Sequence, residues 1–434
     1  MKPLYGLGLC LLASLSQFAV GHYVEATLPV GSAPQALCFD PYYCKVYCAS
    51  AGTRTITVID GATNHVLGTI PIGYGPKALC YNSQNHKVYC ACFDSYEVDV
   101  IDCSTDSCTP LDLGLYQSAD AICYNSVSNK VYCATVGGPC VFVIDGETNE
   151  FLAYFYVGDY PSGFGFNPVD NKVYCGSNSS VTVIDGVADT VIGTIPFGRA
   201  QWWSGHCSIG DKMYCGSRNG GIVAAIDGAT DSILDTITTG ALIYGLYYNE
   251  TRNVVYVDVM DTNAVKLIDA AGDSLLPTQV PAGDWPWALL YAPETDELYC
   301  ADNKGNTVAV IDGSADTLKH LIGVGKKPQA LAWNPAYRRL YVANYDNATV
   351  SIIRDTLLGL AETSRQPLSK TPMAAVAGVT LLLRGSTSAV LVDVNGRVAA
   401  KLIPGSNSVG HLRDGVYFVR GPSAPEACKV ILLN

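Results

Sequence analysis

A repeat of about 42 residues governs most of this chain of 434 residues. A hydrophobic residue followed by Tyr, and usually by Cys, returns eight times; the tyrosines are Tyr47, Tyr89, Tyr132, Tyr174, Tyr214, Tyr256, Tyr299 and Tyr341. They stand 42, 43, 42, 40, 42, 43 and 42 residues apart. An Ile-Asp pair follows in seven units, ending at Asp60, Asp102, Asp145, Asp185, Asp227, Asp269 and Asp312. A fixed period of this length predicts one repeat architecture rather than several independent domains.

Each unit contains four short runs rich in Val, Ile and Tyr, separated by Gly, Asn, Asp and Ser. In the second unit the first three runs are 77–81, 87–90 and 97–101, and the fourth lies around Leu111. Such runs are typical of β-strands, and no window keeps the 3.6-residue period of a helix. Four strands every 40–45 residues predict the blade of an all-β propeller. We expect eight blades, or seven if one unit is displaced from the ring.

The two ends of the repeat region complement each other. The eighth unit stops after its third strand, and no fourth strand follows Asp355. Residues 23–31 instead resemble the fourth strand of the first unit, residues 65–73. The N-terminal strand is therefore predicted to complete the last blade and close the ring, which leaves no unfinished sheet edge. The propeller is expected to span residues 22–356.

The repeat resembles the YVTN family of β-propeller proteins, named for a tetrapeptide like Tyr341-Val342-Ala343-Asn344. The resemblance covers roughly His22 to Asp355. It implies the propeller fold and says little about activity, because one fold hosts many functions.

The first 21 residues have the features of an export leader. Lys2 precedes an apolar stretch over residues 4–15, and small residues stand at Ala19 and Gly21. The stretch is shorter than the roughly 20 residues that span a bilayer, and no later segment reaches that length. We expect cleavage after Gly21, a mature chain that begins at His22, and a secreted or cell-surface location.

The pattern changes after the repeats. Residues 357–372 read as a linker, and new strands appear over 373–434. The Asp-Val-Asn-Gly-Arg turn at 393–397 and the Gly-Val-Tyr-Phe-Val strand at 415–419 resemble the C-terminal sorting domain of type IX secretion substrates. That resemblance implies an immunoglobulin-like sandwich that the bacterial secretion machinery recognises. The alternative is a domain with a plain stabilising or docking role.

Seventeen cysteines are unusual for a cytosolic protein and favour an oxidising compartment. Several recur in pairs that flank the hairpin between the first and second strands of a unit: Cys38 with Cys48, Cys80 with Cys90, Cys123 with Cys133 and Cys207 with Cys215. We expect disulfides there and between Cys103 and Cys108; the alternative is that these cysteines are buried free thiols. Six further cysteines have no assigned partner: Cys44, Cys92, Cys140, Cys175, Cys300 and Cys428.

The net charge and the absence of known catalytic motifs limit the functions that the sequence supports. The net charge is −12 and no basic block occurs, which argues against nucleic acid as a partner. No nucleophile elbow, phosphate loop, haem site, zinc motif or dinucleotide fingerprint is present, so no cofactor, metal or catalytic residue is assigned. The short acidic loop with Asp258 and Asp261 offers only weak support for Ca²⁺.

Aromatic residues mark the connections between units. They stand between a fourth strand and the next first strand, at Tyr74, Tyr116, Tyr160, Trp202, Trp203, Tyr244, Trp285 and Trp287. Exposed aromatic groups typically form contact surfaces, so we expect a face that binds a protein, peptide or glycan; packing between blades is the alternative role. The alternative functions are a propeller enzyme, either a lactonase-like hydrolase or a quinone- or haem-dependent oxidoreductase, and a structural envelope component.

Overall fold

The computed structural model describes residues 21–197, 211–217, 220–240 and 242–356, and the backbone of Gln201–Cys207 and of the C-terminal strands. The chain divides into two compact units, Met1–Gly359 and Leu360–Asn434. Among the described residues, no helix has the length and apolar character needed to cross a bilayer.

The first unit is a ring of eight four-stranded antiparallel sheets. Blades 1 to 4 are Pro34–Asp40, Lys45–Ser50, Thr55–Asp60, Val66–Pro71; Pro76–Asn82, Lys87–Cys92, Glu97–Asp102, Ser107–Asp112; Ser118–Asn125, Lys130–Val136, Cys140–Asp145, Phe151–Tyr156; and Gly163–Asn167, Lys172–Gly176, Ser180–Asp185, Thr190–Pro196. Blades 5 to 8 are Gln201–Cys207, Lys212–Ser217, Ile222–Asp227, Ile233–Thr238; Ile243–Asn249, Val254–Val259, Ala264–Asp269, Ser274–Pro281; Pro286–Ala292, Glu297–Asp302, Thr307–Asp312, Thr317–Gly323; and Pro328–Asn334, Arg339–Asn344, Thr349–Asp355, His22–Pro29. Short 3₁₀ turns cover Met260–Thr262 and Tyr345–Asn347.

The eight-bladed ring and its closure by the N-terminal strand are confirmed. The first strand of each blade contacts the first strands of both neighbouring blades, all the way round the ring. His22–Pro29 pairs antiparallel with the third strand of blade 8, and the register places His22 opposite Asp355. The prolines of the fourth strands, such as Pro29 and Pro71, lie at the outer sheet edge, where a missing N–H costs no ladder bond.

Burial follows the order of strands in a blade. The second and third strands are covered on both faces; Val46, Tyr47, Cys48 and Ala49 are all fully buried. The fourth strands are largely exposed, and one residue near the end of the strand is buried, as at Ile70. The core therefore consists of apolar layers between adjacent blades, which explains why only 15% of the residues are charged.

A polar contact joins each blade to the next. The repeated tyrosine donates its hydroxyl proton to an Asp or Asn side chain in the turn between the third and fourth strands of the following blade. The seven pairs are Tyr47–Asp106, Tyr89–Asn149, Tyr132–Asp189, Tyr174–Asp231, Tyr214–Asp273, Tyr256–Asp316 and Tyr341–Asn64. In the blade 4 seam, Lys172 also binds the Asp231 carboxylate at 2.9 Å. We call this arrangement the blade latch.

The turn that receives the latch has a defined geometry. Asp231 has a φ of 56°, a left-handed conformation that Asp and Asn tolerate better than other non-glycine residues. The repeated Asp at the end of each third strand starts the same turn; Asp60, for example, accepts backbone N–H groups from Ala62 and Thr63 at 2.8 and 2.9 Å. The repeated Asp therefore has a structural role, since its carboxylate orders the turn into the fourth strand.

Removal of one latch hydroxyl should weaken one seam. Tyr174 donates to Asp231 at 2.6 Å and is fully buried, so Tyr174→Phe should lower the free energy of unfolding by about 1–3 kcal/mol. Tyr154→Phe is the matched control, because its ring is 72% exposed. Denaturant unfolding checks the difference, and equal midpoints for the two variants would contradict the latch.

The predicted disulfides between first and second strands are wrong, because the register is offset by one residue. Leu37 lies opposite Cys48, and Cys38 lies opposite Tyr47. Neighbouring residues of a strand point to opposite faces, so Cys38 and Cys48 are on different faces of the blade. Blades 2 and 3 show the same offset for Cys80 with Cys90 and Cys123 with Cys133.

The other proposed pairs are not formed either. In blade 5 Cys215 lies opposite Ser204, and Cys207, whose side chain is outside the described part, lies opposite Lys212. Cys103 and Cys108 are both free thiols, as are all fourteen cysteines whose side chains are described. The alternative reading, cysteine as a small buried apolar residue, is the one that the register supports.

The thiols should be unreactive in the folded protein and available after unfolding. Burial raises the pKa of Cys123 to about 12, and burial followed by the nearby Asp40 carboxylate raises that of Cys38 to about 12, so little thiolate exists at pH 8. We expect slow alkylation in buffer, rapid alkylation in denaturant, and no mass gain on reduction. A gain in intact mass after reduction would show that bridges form.

The C-terminal unit contains two antiparallel sheets. One pairs Ala374–Ala377, Thr380–Leu383 and Gly405–Ser408; the other pairs Val398–Leu402, Ala389–Asp393, Gly415–Arg420 and Cys428–Leu432 in that spatial order. The strands lie where the sequence pattern places them. Their assembly into an immunoglobulin-like sandwich stays a prediction.

Candidate functional site

The connections from each fourth strand to the next first strand lie at one end of the ring, because all blades have the same orientation. The loops between second and third strands lie at that same end. We call this end the loop face; it includes the connections 72–75, 113–117, 157–162 and 282–285.

Four of the predicted aromatic residues are exposed on the loop face. The exposed fractions are 55% for Tyr74, 71% for Tyr116, 61% for Tyr160 and 43% for Trp285. Tyr74, Tyr116 and Tyr160 occupy three consecutive connections, after blades 1, 2 and 3, whereas Trp285 lies in the connection after blade 6. Large aromatic groups left in solvent at corresponding positions are typical of a contact surface.

Three of these residues also have an unfavourable backbone conformation. The φ angles of Tyr116, Tyr160 and Trp285 are 68°, 53° and 68°, in the left-handed region. A bulky residue there costs roughly 1–2 kcal/mol, and glycine removes most of that cost; Gly75 adopts this conformation in the connection beside Tyr74. The corresponding connections of other blades place Ala33 and Lys327 in the same left-handed conformation, so the ring accepts several residue types here and does not itself require an aromatic one.

Trp285 borders a shallow, open hollow on the loop face. Lys304 lies over the indole ring, with Nζ 5.6 Å from its centroid. The hollow is lined by Trp285, Asn303, Lys304, Asn306, Lys326, Lys327 and Asp346. It combines an apolar ring, amide groups and cations, so it can contact an apolar group and a nearby anion at once.

The remaining predicted aromatic residues lie elsewhere. Tyr244 is buried and its ring stacks on half-buried Trp287 at 4.4 Å between centroids, so these two residues pack blade 6 against blade 7. Trp202 and Trp203 belong to the first strand of blade 5, and their side chains lie outside the described residues. Whether any of the eight binds a ligand stays a prediction.

Asp258 is a buried carboxylate that the sequence patterns do not explain. Asp258 stands two residues after the repeated tyrosine of blade 6. The same position is Ala301 in blade 7 and Ala343 in blade 8. Its Oδ1 accepts the N–H groups of Tyr244 and Gly245 at 2.7 and 2.6 Å, inside an irregular stretch of the first strand.

The surroundings of Asp258 do not suit a calcium site. Oδ2 has no partner, and burial, which outweighs the two backbone hydrogen bonds, raises the pKa to about 7. A protonated carboxyl group that holds two amides in place is a structural feature, so the weak expectation of Ca²⁺ binding with Asp261 is not supported here.

The raised pKa gives a test by pH. A carboxyl group whose folded pKa lies above its ordinary value of 3.8 destabilises the fold as pH rises through 4 to 7, by up to about 4 kcal/mol. Asp258→Asn should remove that loss and be more stable than the wild type at pH 8. The exposed Asp235→Asn is the control; a less stable Asp258→Asn protein at pH 8 would contradict the assignment.

The closing seam between blades 7 and 8 carries an altered latch. Glu297 stands where Lys172 stands in blade 4, and His22 stands where the turn Asp would be. His22 Nε2 lies 2.9 Å from Glu297 Oε2, which also accepts the Tyr299 hydroxyl at 2.8 Å. Burial raises the pKa of Glu297, but the hydrogen bond and charge of His22 and further bonds outweigh it and lower the pKa to about 2.

Among the described residues, the ligand atoms of His22, Glu297 and Asp355 lie within 4.8 Å of one another. The three residues are at the end of the ring opposite the loop face, because Glu297 begins a second strand and His22 begins a fourth strand. Within the described part of the chain, no comparable set of carboxylates and imidazoles occurs on the loop face. Sequence patterns missed this group because its members are 275 residues apart in the chain.

Solved structures share the propeller fold at low sequence identity. Kuenenia stuttgartiensis hydrazine synthase is 16% identical, with a TM-score of 0.54 over 75% of this chain and 96% of that one. Saccharomyces cerevisiae Sqt1 is 13% identical, with a TM-score of 0.65 over 76% and 97%. A chain of the mitotic checkpoint complex is 14% identical, with a TM-score of 0.58 over 82% and 98%.

No protein-family model matches the chain, and no curated protein matches it. At these identities the structural neighbours show the fold alone. One is by its title an enzyme and another is part of a complex, so the shared ring is compatible with catalysis and with binding.

Proposed function

We propose that the protein is an exported β-propeller that binds a protein or peptide partner on its loop face. The observation that carries the proposal is the set of exposed aromatic side chains held at left-handed backbone positions, Tyr116, Tyr160 and Trp285. The fold accepts Ala33, Gly75 and Lys327 at such positions, whereas a partner that buries the rings would favour aromatic residues.

The hollow at Trp285 indicates which chemistry the partner has. Lys304, Lys326 and Lys327 surround the indole in a chain whose net charge is −12. Lys304 and Lys327 pair with exposed Asp284 and Asp346, and such exposed pairs exchange readily. A polypeptide segment with an apolar side chain beside a carboxylate would fit; a glycan is the other ligand class that the test includes.

Export follows from the two resemblances found at the ends of the chain. Residues 1–20 lie outside the described part, and the leader with cleavage after Gly21 is part of the proposal. The YVTN-type repeats and the C-terminal strands from 374 onward, which we propose to be a sorting domain, are consistent with a bacterial surface or secreted protein. The free thiols mean that disulfides do not support this location.

Two substitutions at Trp285 separate binding from stability. Trp285→Ala removes the ring and keeps the strained backbone, whereas Trp285→Gly removes both, so the Gly variant should be more stable by about 1 kcal/mol. Both should lower affinity for the partner by at least about tenfold, as truncation of an aromatic anchor does.

The partner is sought with immobilised propeller on peptide libraries of envelope proteins and on glycan arrays. Tyr154→Ala is the control, since Tyr154 is exposed on the fourth strand of blade 3 and outside the loop face. A ligand that binds wild type and both Trp285 variants equally contradicts the proposed site. A ligand that is purely a glycan contradicts the polypeptide class.

A further inference from the structure

His22 has one ring nitrogen that is buried and unused. Its side chain is only 4% exposed, at the start of the strand that closes the ring. Nε2 contacts Glu297 at 2.9 Å, whereas Nδ1 has no hydrogen-bond partner. A buried polar atom without a partner carries a cost, so its retention requires an explanation.

The contact with Glu297 determines which nitrogen of His22 can bind a metal ion. Glu297 accepts the proton on Nε2, so the second ring nitrogen, Nδ1, is the one that a metal ion can bind, with release of its proton where the imidazole is charged. Histidines that bind metals typically have this arrangement, in which a carboxylate holds one ring nitrogen and the other faces the ion. The geometry at His22 therefore prepares Nδ1 as a ligand.

A second imidazole lies beside the first. The centroid of His320 is 5.5 Å from that of His22. A metal–nitrogen bond is about 2.0–2.1 Å, so two nitrogens on one ion lie within roughly 4 Å of each other. His320 is exposed and can reach such an ion by rotation of its side chain.

Gly21, which precedes His22 in the chain, lies beside His320. A Cβ built on Gly21 would lie 3.6 Å from Nε2 of His320. The Thr356 hydroxyl donates to the Gly21 carbonyl at 2.6 Å and accepts the Gly21 N–H at 3.1 Å. Departure of Gly21 would free the backbone nitrogen of His22 as an α-amine. The space that Gly21 leaves would be bordered by His320 and Thr356.

We propose that removal of the leader after Gly21 creates a transition-metal site at the new N-terminus, with the α-amine and Nδ1 of His22 and the imidazole of His320 as ligands. Hydrolysis of the Gly21–His22 bond consumes one water and leaves a carboxylate on Gly21 and an amine on His22. The amine and Nδ1 of one histidine close a six-membered chelate ring around an ion. This inference rests on the proposed export and cleavage.

Three nitrogen donors select the kind of metal. Nitrogen ligands suit Cu²⁺, Ni²⁺ and Zn²⁺, and Cu²⁺ binds most strongly in the usual order of affinities. The trio of His22 Nε2, Glu297 and Asp355 is a poorer site, because Lys319 binds Glu297 at 3.1 Å and Arg338 is paired with Asp355. These cations already balance the two carboxylates. The ion is therefore assigned to Nδ1 of the His22 imidazole, away from Glu297 and Asp355.

The test uses Cu²⁺ alone and a protein whose first residue is His22, released from an N-terminal fusion by a protease that leaves no extra residue. A chain that keeps residues 17–21 is the control; it has the same thiols and histidines but no amine on His22. A longer extension is required because a chain beginning Gly-His would itself chelate copper. Calorimetry and electron paramagnetic resonance measure affinity and nitrogen ligation at pH 7.5, and the protons released on ligation are counted by repeating the calorimetry in a second buffer.

We expect one Cu²⁺ per chain with submicromolar affinity and a nitrogen-rich spectrum for the His22-first protein, and at least 100-fold weaker binding for the extended chain. His320→Ala should weaken binding at least tenfold, whereas His65→Ala, on an exposed turn of blade 1, should not change it. Equal affinity of the extended chain, or absence of tight binding by the His22-first chain, overturns the proposal. Unchanged affinity of His320→Ala overturns the third ligand.

Cleavage is tested separately. N-terminal sequencing of the protein exported by its native cells should begin at His22. A different first residue would contradict the proposed leader and show that the site does not form in the cell, while the binding data on the His22-first chain would still report whether the geometry chelates copper. Partner binding at Trp285 depends on neither result.

Discussion

The ring depends on a hydroxyl group that one blade donates to the next. Apolar layers supply most of the free energy of folding, but they are not directional and would tolerate small slides between blades. The latch, as from Tyr174 to Asp231, adds a short bond at a buried position and fixes each blade's rotation against its neighbour. The same contact recurs at seven seams among the described residues, so successive blades are joined in the same way around the ring.

The eighth seam differs because the chain begins and ends its ring there. Lys172 of blade 4 faces Asp231 in the turn of blade 5. At the closing seam the charges are reversed, because Glu297 of blade 7 faces His22 of blade 8. If the N-terminal strand paired as the fourth strand of blade 5, His22 would lie against Lys172 of blade 4 and would lose its carboxylate partner. The reversed charge order therefore favours the correct final pairing over pairing with an inner seam.

The period and the strand pattern were sufficient to predict the fold, since each turn and each alternation points to the same blade. The cysteine pairs failed for a local reason: the hairpin length places Leu37, not Cys38, opposite Cys48, and a shift of one residue moves a side chain to the other face. The loop-face aromatics were visible in the sequence, but their left-handed backbone was not. Tyr244 and Trp287 are covered because they lie inside first strands, whereas Tyr160 and Trp285 lie in the connections before them. The group around His22 was invisible because closure of the ring, not any local motif, assembles it.

Closure by the first strand also has a consequence for the order of folding. Gly21 and Thr356 meet although they are 335 residues apart, so the earliest part of the ring to be synthesised must wait for the last. Contacts of such separation form slowly, since the loop entropy is lost before the pairing compensates it. Until then the first strand has an open edge, which a chaperone could cover. A nascent ring of this kind stays loose until its final strand emerges, and an unfolded chain is the form that can be threaded through a narrow pore.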